Sequence, residues 1–236
     1  DNAARTLAPA LDALGPRRPL AETDARGGLD RLVPPGAVHQ GVVLEAEPLS
    51  PRSLADLVPA DPAAPALLVA LDRVTDPHNV GAILRSTAAF GAAGLVVTTR
   101  HAPPETGTLA KAAAGALDLV PVARVANLAQ ALRNLKKAGF WVVGLDGGAP
   151  AELDAAYPAG RTVLVLGAEG GGLRRLTAET CDRLVRIPMV RLSVNGGASA
   201  IDSLNVSNAA AIALYVLDRA RRGGSGPERH KDSQDN

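Results

Sequence analysis

Two side chains open the chemical reading of this 236-residue chain: Asn79 and Arg85, within the segment Asp76–Ser86, DPHNVGAILRS. An amide is both donor and acceptor, and a guanidinium is a fork of donors with a permanent charge, so together they suit a polar, anionic ligand. The segment follows the apolar run Leu67–Leu71, which reads as a buried strand. Asp76 suits an N-cap and Pro77 the first helical turn. Val80, Ile83, Leu84, Thr87 and Ala88 recur at helical spacing and predict a helix over 80–90. That stripe leaves His78 above Arg85 and Asn79 above Ser86 on the other faces. A strand end would then deliver an amide and a guanidinium to a helix opening, where open α/β sheets bind ligands. The plainer alternative is a capped helix with a solvated polar side, and this segment alone does not separate the two.

Two further segments share that logic. The run Thr162–Leu166 reads as a strand and leads into GAEGGG, Gly167–Gly172. Glycines there permit positive φ and close approach of backbone to a ligand. The run lacks the Lys-Ser/Thr of a P-loop and does not fit the dinucleotide fingerprint. Glu169 is the one acid directly after a core strand and among glycines, with a flexible turn and a solvated carboxylate as the alternative. The third segment is Ile187–Pro188–Met189, followed later by SLNVSN, Ser203–Asn208, where Ser203 or Asn205 suits the cap of the last helix.

The elements that must position these residues alternate. Strands are expected at Leu67–Leu71, Leu95–Thr98, Leu119–Val122, Trp141–Leu145, Thr162–Leu166 and Leu184–Ile187. Helices are expected at 80–90, 106–115, 128–138 and 173–181, with a short one near 53–58. Alternation of this kind implies an α/β fold, a mainly parallel sheet with helices on both faces. In the last helix, about 204–222, Val206, Ala209, Ala210, Ala213, Leu214 and Leu217 make one face, and Ile212, Tyr215 and Val216 extend it around the opposite side. A helix apolar on nearly all sides is buried on nearly all sides, which predicts a second subunit against it.

Upstream, residues 3–14 resemble a short amphipathic helix and Val38–Leu44 a strand, so 1–45 reads as the latter part of a domain. The chain opens without methionine, and more is expected to lie upstream of Asp1. Prolines at 48, 51, 59, 62 and 65 make 46–66 a stiff connection. The polar segment 223–236 is expected to be a disordered tail.

Composition narrows the function. Aromatics at 2% make base stacking on aromatic rings a poor basis for binding. A net charge of +1 leaves any nucleic-acid partner to local arginine patches. Arg17-Arg18, Arg174-Arg175, the set Arg183, Arg186 and Arg191, and Arg219 with Arg221-Arg222 read sooner as solvated surface than as contacts. A lone cysteine, Cys181, excludes an intramolecular disulfide and reads as a buried, inert thiol. His39, His78, His101 and His230 lack ligand spacing, so no metal site is expected. No apolar run reaches membrane-spanning length and no signal peptide is visible, so the chain reads as cytoplasmic.

Taken together, the three motifs resemble those of the SpoU-type, TrmH-like RNA ribose methyltransferases of the SPOUT superfamily, over roughly Leu67–Arg222. HQGVV, His39–Val43, and the proline-rich connection resemble the junction ahead of the catalytic domain in ribosomal-RNA members. The resemblance implies an N-terminal RNA-binding domain of which 1–45 is a remnant, a linker at 46–66 and a SPOUT methyltransferase domain at 67–222. It implies a deep trefoil knot at the C-terminal end of the α/β sheet, a rare exception to unknotted chains. It implies S-adenosylmethionine held by Leu145, Gly167, Ile187, Met189 and Leu204. The family's catalytic positions fall on Asn79, Arg85, Glu169, Ser203 and Asn205. A homodimer through the knot and the last helix follows from the same resemblance.

The implied reaction methylates a ribose 2′-hydroxyl in RNA, most readily a guanosine of large-subunit ribosomal RNA, with no metal. Transfer RNA as substrate, or an RNA-binding knot dimer without catalysis, are the alternatives. Arginine stays charged because its pKa lies above about 12, so Arg85 suits a cation that stabilises a developing alkoxide and grips a phosphate. The chain departs from the family pattern in the thirteen-residue link Val190–Asp202, longer than the family's. That link falls in the loop expected to wrap the cofactor.

Overall fold

A computed structural model describes residues 28–45, 47–153, 160–190 and 203–222. The expected helix at 3–14, the tail at 223–236 and nearly all of the link after Val190 lie outside them, as do Arg17, Arg18, Arg191 and His230. The chain divides into two units, Asp1–Pro48 and Leu49–Asn236.

In the first unit a 3-10 turn spans Leu29–Leu32. The strand expected at Val38–Leu44 is not there. Gln40 and Gly41 both take positive φ, 52° and 86°, and the Val42 N–H donates to the His39 carbonyl at 2.9 Å. Two consecutive left-handed residues close a tight turn, which interrupts an extended run whatever its β-branched content.

The second unit holds the sheet. Among the described residues seven strands run parallel in the order β3-β2-β1-β6-β4-β7-β5: β1 (Ala66–Asp72), β2 (Gly94–Thr98), β3 (Val122–Val125), β4 (Trp141–Leu145), β5 (Ala151–Glu152), β6 (Arg161–Gly167) and β7 (Arg183–Arg186). Side chains alternate across each strand, so the sheet feeds two cores. Leu67, Val69, Leu71, Leu164 and Leu166 face one core, with α1 (Pro77–Ala89), α2 (Gly107–Ala113), α3 (Ala116–Leu119) and α6 (Val206–Arg221). Leu68, Ala70, Val163 and Val165 face the other, with α4 (Leu128–Lys137), while α5 (Arg175–Thr180) lies against α4.

The expected strand at Leu119–Val122 lies three residues too early. Leu119 ends the turn α3 and is exposed, and the strand begins at Val122. The stretch Leu117–Val122, LDLVPV, crosses a helix end and a strand start, which periodicity cannot divide over so few residues. α6 buries the face read from its spacing, while Ile212 and Tyr215 stand 41% and 50% exposed on the opposite side. Among the described residues, no helix is long and apolar enough to cross a membrane, and no cluster of metal-ligating side chains occurs.

Arg161 ties the proline-rich connection down. It is 9% exposed, donates to the carbonyls of Pro59, Asp61, Ala64 and Ala138, and stacks over the Phe140 ring. Carbonyl dipoles around a guanidinium replace the lost water without any carboxylate.

Two outcomes test this description. Ile83, fully buried under the α1 stripe, should on replacement by alanine lower unfolding free energy by about 2–5 kcal/mol, read from a shifted urea midpoint. Burial pushes the Cys181 thiol up to about 12, with the Asp182 carboxylate adding to the effect. The folded protein should therefore resist iodoacetamide at pH 8 and react promptly once unfolded; equal rates in both states would contradict the packing around Cys181.

Candidate active site

Parallel strands share one carboxyl edge, and the three chemical segments empty there. At the first, the Asp76 carboxylate accepts the His78 N–H at 3.0 Å and Pro77 occupies the first turn, starting α1 where the end of β1 requires it. Asn79 lies on that first turn and is 8% exposed, not on a solvated face as its spacing suggested. His78 and Arg85 are exposed.

At the second, β6 ends in Gly167, paired in register with Asp72 of β1. Ala168 and Gly172 exchange backbone hydrogen bonds at 3.1 and 2.9 Å, which folds the loop back on itself with Glu169, Gly170 and Gly171 at its tip. A Cβ on Gly167 would collide with the Gly172 backbone, so no other residue permits the return. Gly170 and Gly172 take φ of 71° and 58°, a region open to glycine at little cost.

At the third, Asn205 caps α6. Its Oδ1 accepts from the Ser207 N–H at 2.9 Å, the Ser207 hydroxyl at 2.6 Å and the Asn208 N–H at 3.4 Å. Its Nδ2 donates to Glu169 Oε1 at 2.6 Å and to Asn79 Oδ1 at 3.0 Å, and Asn79 Nδ2 donates to the same Glu169 oxygen at 3.1 Å. Residues 79, 169 and 205 thus form one closed set, with the carboxylate held by two amides and by no cation among the described residues.

Beside this set opens a cavity of about 580 Å³, within the range of small-ligand sites. Leu145, Gly167, Ile187, Met189 and Leu204 all line it, as do Glu169, Ser203 and Asn205. Its described wall carries two carboxylates, Asp146 and Glu169, and no lysine or arginine. Asn79 reaches this group through its hydrogen bonds, whereas Arg85 does not line the cavity and makes no hydrogen bond or ion pair among the described residues.

Sequence reasoning passed over two parts of this region. Asp146 and Gly147 follow β4 in the same strand-then-glycine pattern as GAEGGG, and the Asp146 carboxylate accepts the Gly148 N–H at 2.8 Å. Asp72, fully buried at the end of β1, binds the Arg174 backbone N–H at 3.0 Å and its Nε at 2.6 Å. Arg174 is therefore an anchor for the exit of the glycine loop rather than solvated surface; Arg175, which pairs with Glu179 and is 87% exposed in its side chain, is surface as expected. A charge at the last position of an otherwise apolar strand was the available signal, because a buried carboxylate demands a partner.

The closed set makes a pH-dependent prediction. Asn205→Asp keeps a capping oxygen but sets a carboxylate against Glu169. Repulsion raises the pKa of one acid in the folded state above its unfolded value, so the penalty is present at neutral pH and fades as pH falls through the raised pKa. The variant should lose about 1 kcal/mol at pH 7.5 and recover most of it below about pH 5. A deficit of equal size at both pH values, by urea unfolding, would show that the pair is not coupled.

Residues 66–215 match the model of the SpoU rRNA Methylase family. The chain is 44% identical over 189 residues to the 23S rRNA (guanosine-2′-O-)-methyltransferase RlmB of Vibrio vulnificus, an alignment covering 79% of this chain and 72% of that protein. Among solved structures it resembles the SpoU methyltransferase AviRb from Streptomyces viridochromogenes in complex with the cofactor AdoMet, with TM-score 0.60 and 32% identity over 72% of this chain and 62% of that one. It likewise resembles the AdoMet-bound rRNA methyltransferase from Sinorhizobium meliloti, with TM-score 0.61 and 30% identity over 73% and 61% of the two chains. With this match spanning the sheet, the glycine loop and most of the last helix, the chain belongs to the SpoU rRNA methylase family.

Proposed function

We propose that this chain methylates a ribose 2′-hydroxyl of RNA with S-adenosylmethionine, and that the target is a guanosine of large-subunit ribosomal RNA. The observation that carries this reading is the charge of the cavity: two carboxylates and no described cation, beside a glycine loop and apolar walls. Such a wall suits a ligand that is cationic at one end and flat and apolar at the other. Leu145, Ile187 and Leu204 offer the apolar surface, Gly167 and the following loop offer backbone groups at close range, and Met189 and Ser203 close the side. When bound, the cofactor supplies an electrophilic methyl group on a sulfonium. RlmB of Vibrio vulnificus carries the same activity in its name, which favours ribosomal over transfer RNA.

The chain's own residues then have separable roles. Transfer would form the methyl–oxygen bond as the sulfur–carbon bond breaks, and the hydroxyl proton would leave to a neighbouring phosphate or to water. Arg85, exposed and without a partner among the described residues, stabilises the developing alkoxide and grips a phosphate. Glu169, held at Oε1 by two amides, orients Asn79, and Asn205 locks both to the start of α6. Holding the reactants in line supplies much of the acceleration.

The same reading includes a trefoil knot between the β6 loop and the segment before α6, and a cytoplasmic homodimer through α6, whose exposed Ile212 and Tyr215 suit a partner surface. Residues 1–45 act as part of an RNA-binding unit, joined through 46–66 to the methyltransferase domain at 67–222, in keeping with the division of the chain at Pro48.

Calorimetry with S-adenosylmethionine, followed by methyl transfer to ribosomal and transfer RNA, tests this function. Saturable cofactor binding and transfer to ribosomal RNA are expected; binding without transfer to either RNA would favour the non-catalytic alternative. Arg85→Ala should lower kcat on the order of 100-fold or more. Arg85→Lys keeps a charge but loses the fork, and a rate close to the unmutated one would sink the clamp role.

A further inference from the structure

One residue on the carboxyl edge of the sheet is held in a conformation its type disfavours. Arg73, directly after β1, has φ of 65°, in the left-handed region where glycine or asparagine is at ease and arginine is not. Its neighbours leave it no choice. Asp72 on one side is fully buried and bound by Arg174, Val74 on the other is 5% exposed, and Asp76 is committed to capping α1. The guanidinium is thereby turned outward, exposed, with no hydrogen bond or ion pair among the described residues. Strain of this kind persists where the surroundings over-determine it, and it clusters at functional sites.

Arg73 does not stand alone. β2 neighbours β1 and ends at Thr98, and Arg100 follows two residues later, exposed and likewise without a partner among the described residues. On the other side, the register partner of Asp72 is Gly167, on the cavity wall. The acids at this edge are all engaged: Asp72 with Arg174, Asp76 with the His78 N–H, Glu105 with Arg124, and Glu169 with two amides. Along the ends of β2 and β1, leading to the cavity, Arg73 and Arg100 thus have no partner among the described residues, while each of these carboxylates has at least one hydrogen-bond donor. In a chain of net charge +1, that local arrangement is what a polyanion can recognise.

We propose that Arg73, with Arg100 on the adjoining strand end, binds phosphates of the RNA strand that enters the site, so that arginine is tolerated at a left-handed position for its side chain. This inference rests on the proposed RNA substrate and adds the path that the strand takes to it, across the ends of β2 and β1.

The test exploits opposite signs. Arg73→Gly relieves the backbone and removes the charge. It should leave the urea midpoint unchanged or raised and S-adenosylmethionine binding unchanged. Its affinity for a ribosomal RNA fragment should fall about tenfold, with the slope of log K against log salt reduced by about one. Arg73→Lys should retain most of the affinity, and Arg100→Gln should weaken binding in the same direction as the glycine variant. Affinity and salt slope unchanged in Arg73→Gly would overturn the proposal, as would a loss of affinity accompanied by a lowered urea midpoint, which marks a structural role. An unmutated chain that binds S-adenosylmethionine but no RNA also overturns it, whereas failure to bind S-adenosylmethionine counts against the reading of the cavity.

Discussion

The site depends on one amide used at both ends. Asn205 spends its oxygen on the exposed N–H groups that begin α6 and its nitrogen on Glu169 and Asn79. Ser or Asp caps a helix as well as Asn does, but neither offers the two N–H donors that reach back across the edge of the sheet. The position of the last helix and the orientation of the carboxylate are therefore coupled through a single side chain. That helix buries Ala210, Ala213 and Leu214 against α1 and the sheet, so the coupling extends into the core and is not a surface contact alone.

Charge is distributed by depth. The cavity wall holds two carboxylates and no described cation, whereas the rim beyond it carries unpartnered arginines on strand ends and on α1. A sulfonium and a phosphate chain ask for opposite environments. The protein separates them by occupying its acids: Asp72 is neutralised by Arg174, and Glu169 is satisfied by amides rather than by a guanidinium. Arg85 is left unpartnered, available to a ligand.

Much of this was legible in the residues, for identifiable reasons. Strand–helix alternation follows from burial on both faces of a parallel sheet, and five of the seven strands among the described residues stood out as apolar runs; the strand at Val122–Val125 was read three residues early, and Ala151–Glu152 is two residues long and has no apolar pattern. The cap at Asp76 and the stripe from Val80 are local chemistry, and they appear as read. The turn at Gln40–Gly41 and the division of Leu117–Val122 were misread because backbone sign changes and element boundaries are weakly encoded over four or five residues. Arg174 was misjudged because its partner lies 102 positions away in the chain.

By itself the sequence determined the class of fold, the three segments that matter and the residue types within them, because periodicity, caps and glycine loops are properties of neighbours along the chain. Only the tertiary structure decided that Asn79 is buried, that Glu169 is bound by amides and not by an arginine, and that the apolar and acidic positions share one cavity. It also decided which arginines are anchors and which are free, since Arg73, Arg85 and Arg174 look alike in one dimension. The reason is physical: a charge is defined by what compensates it, and here the compensating groups come from strands and loops that meet only at the edge of the folded sheet.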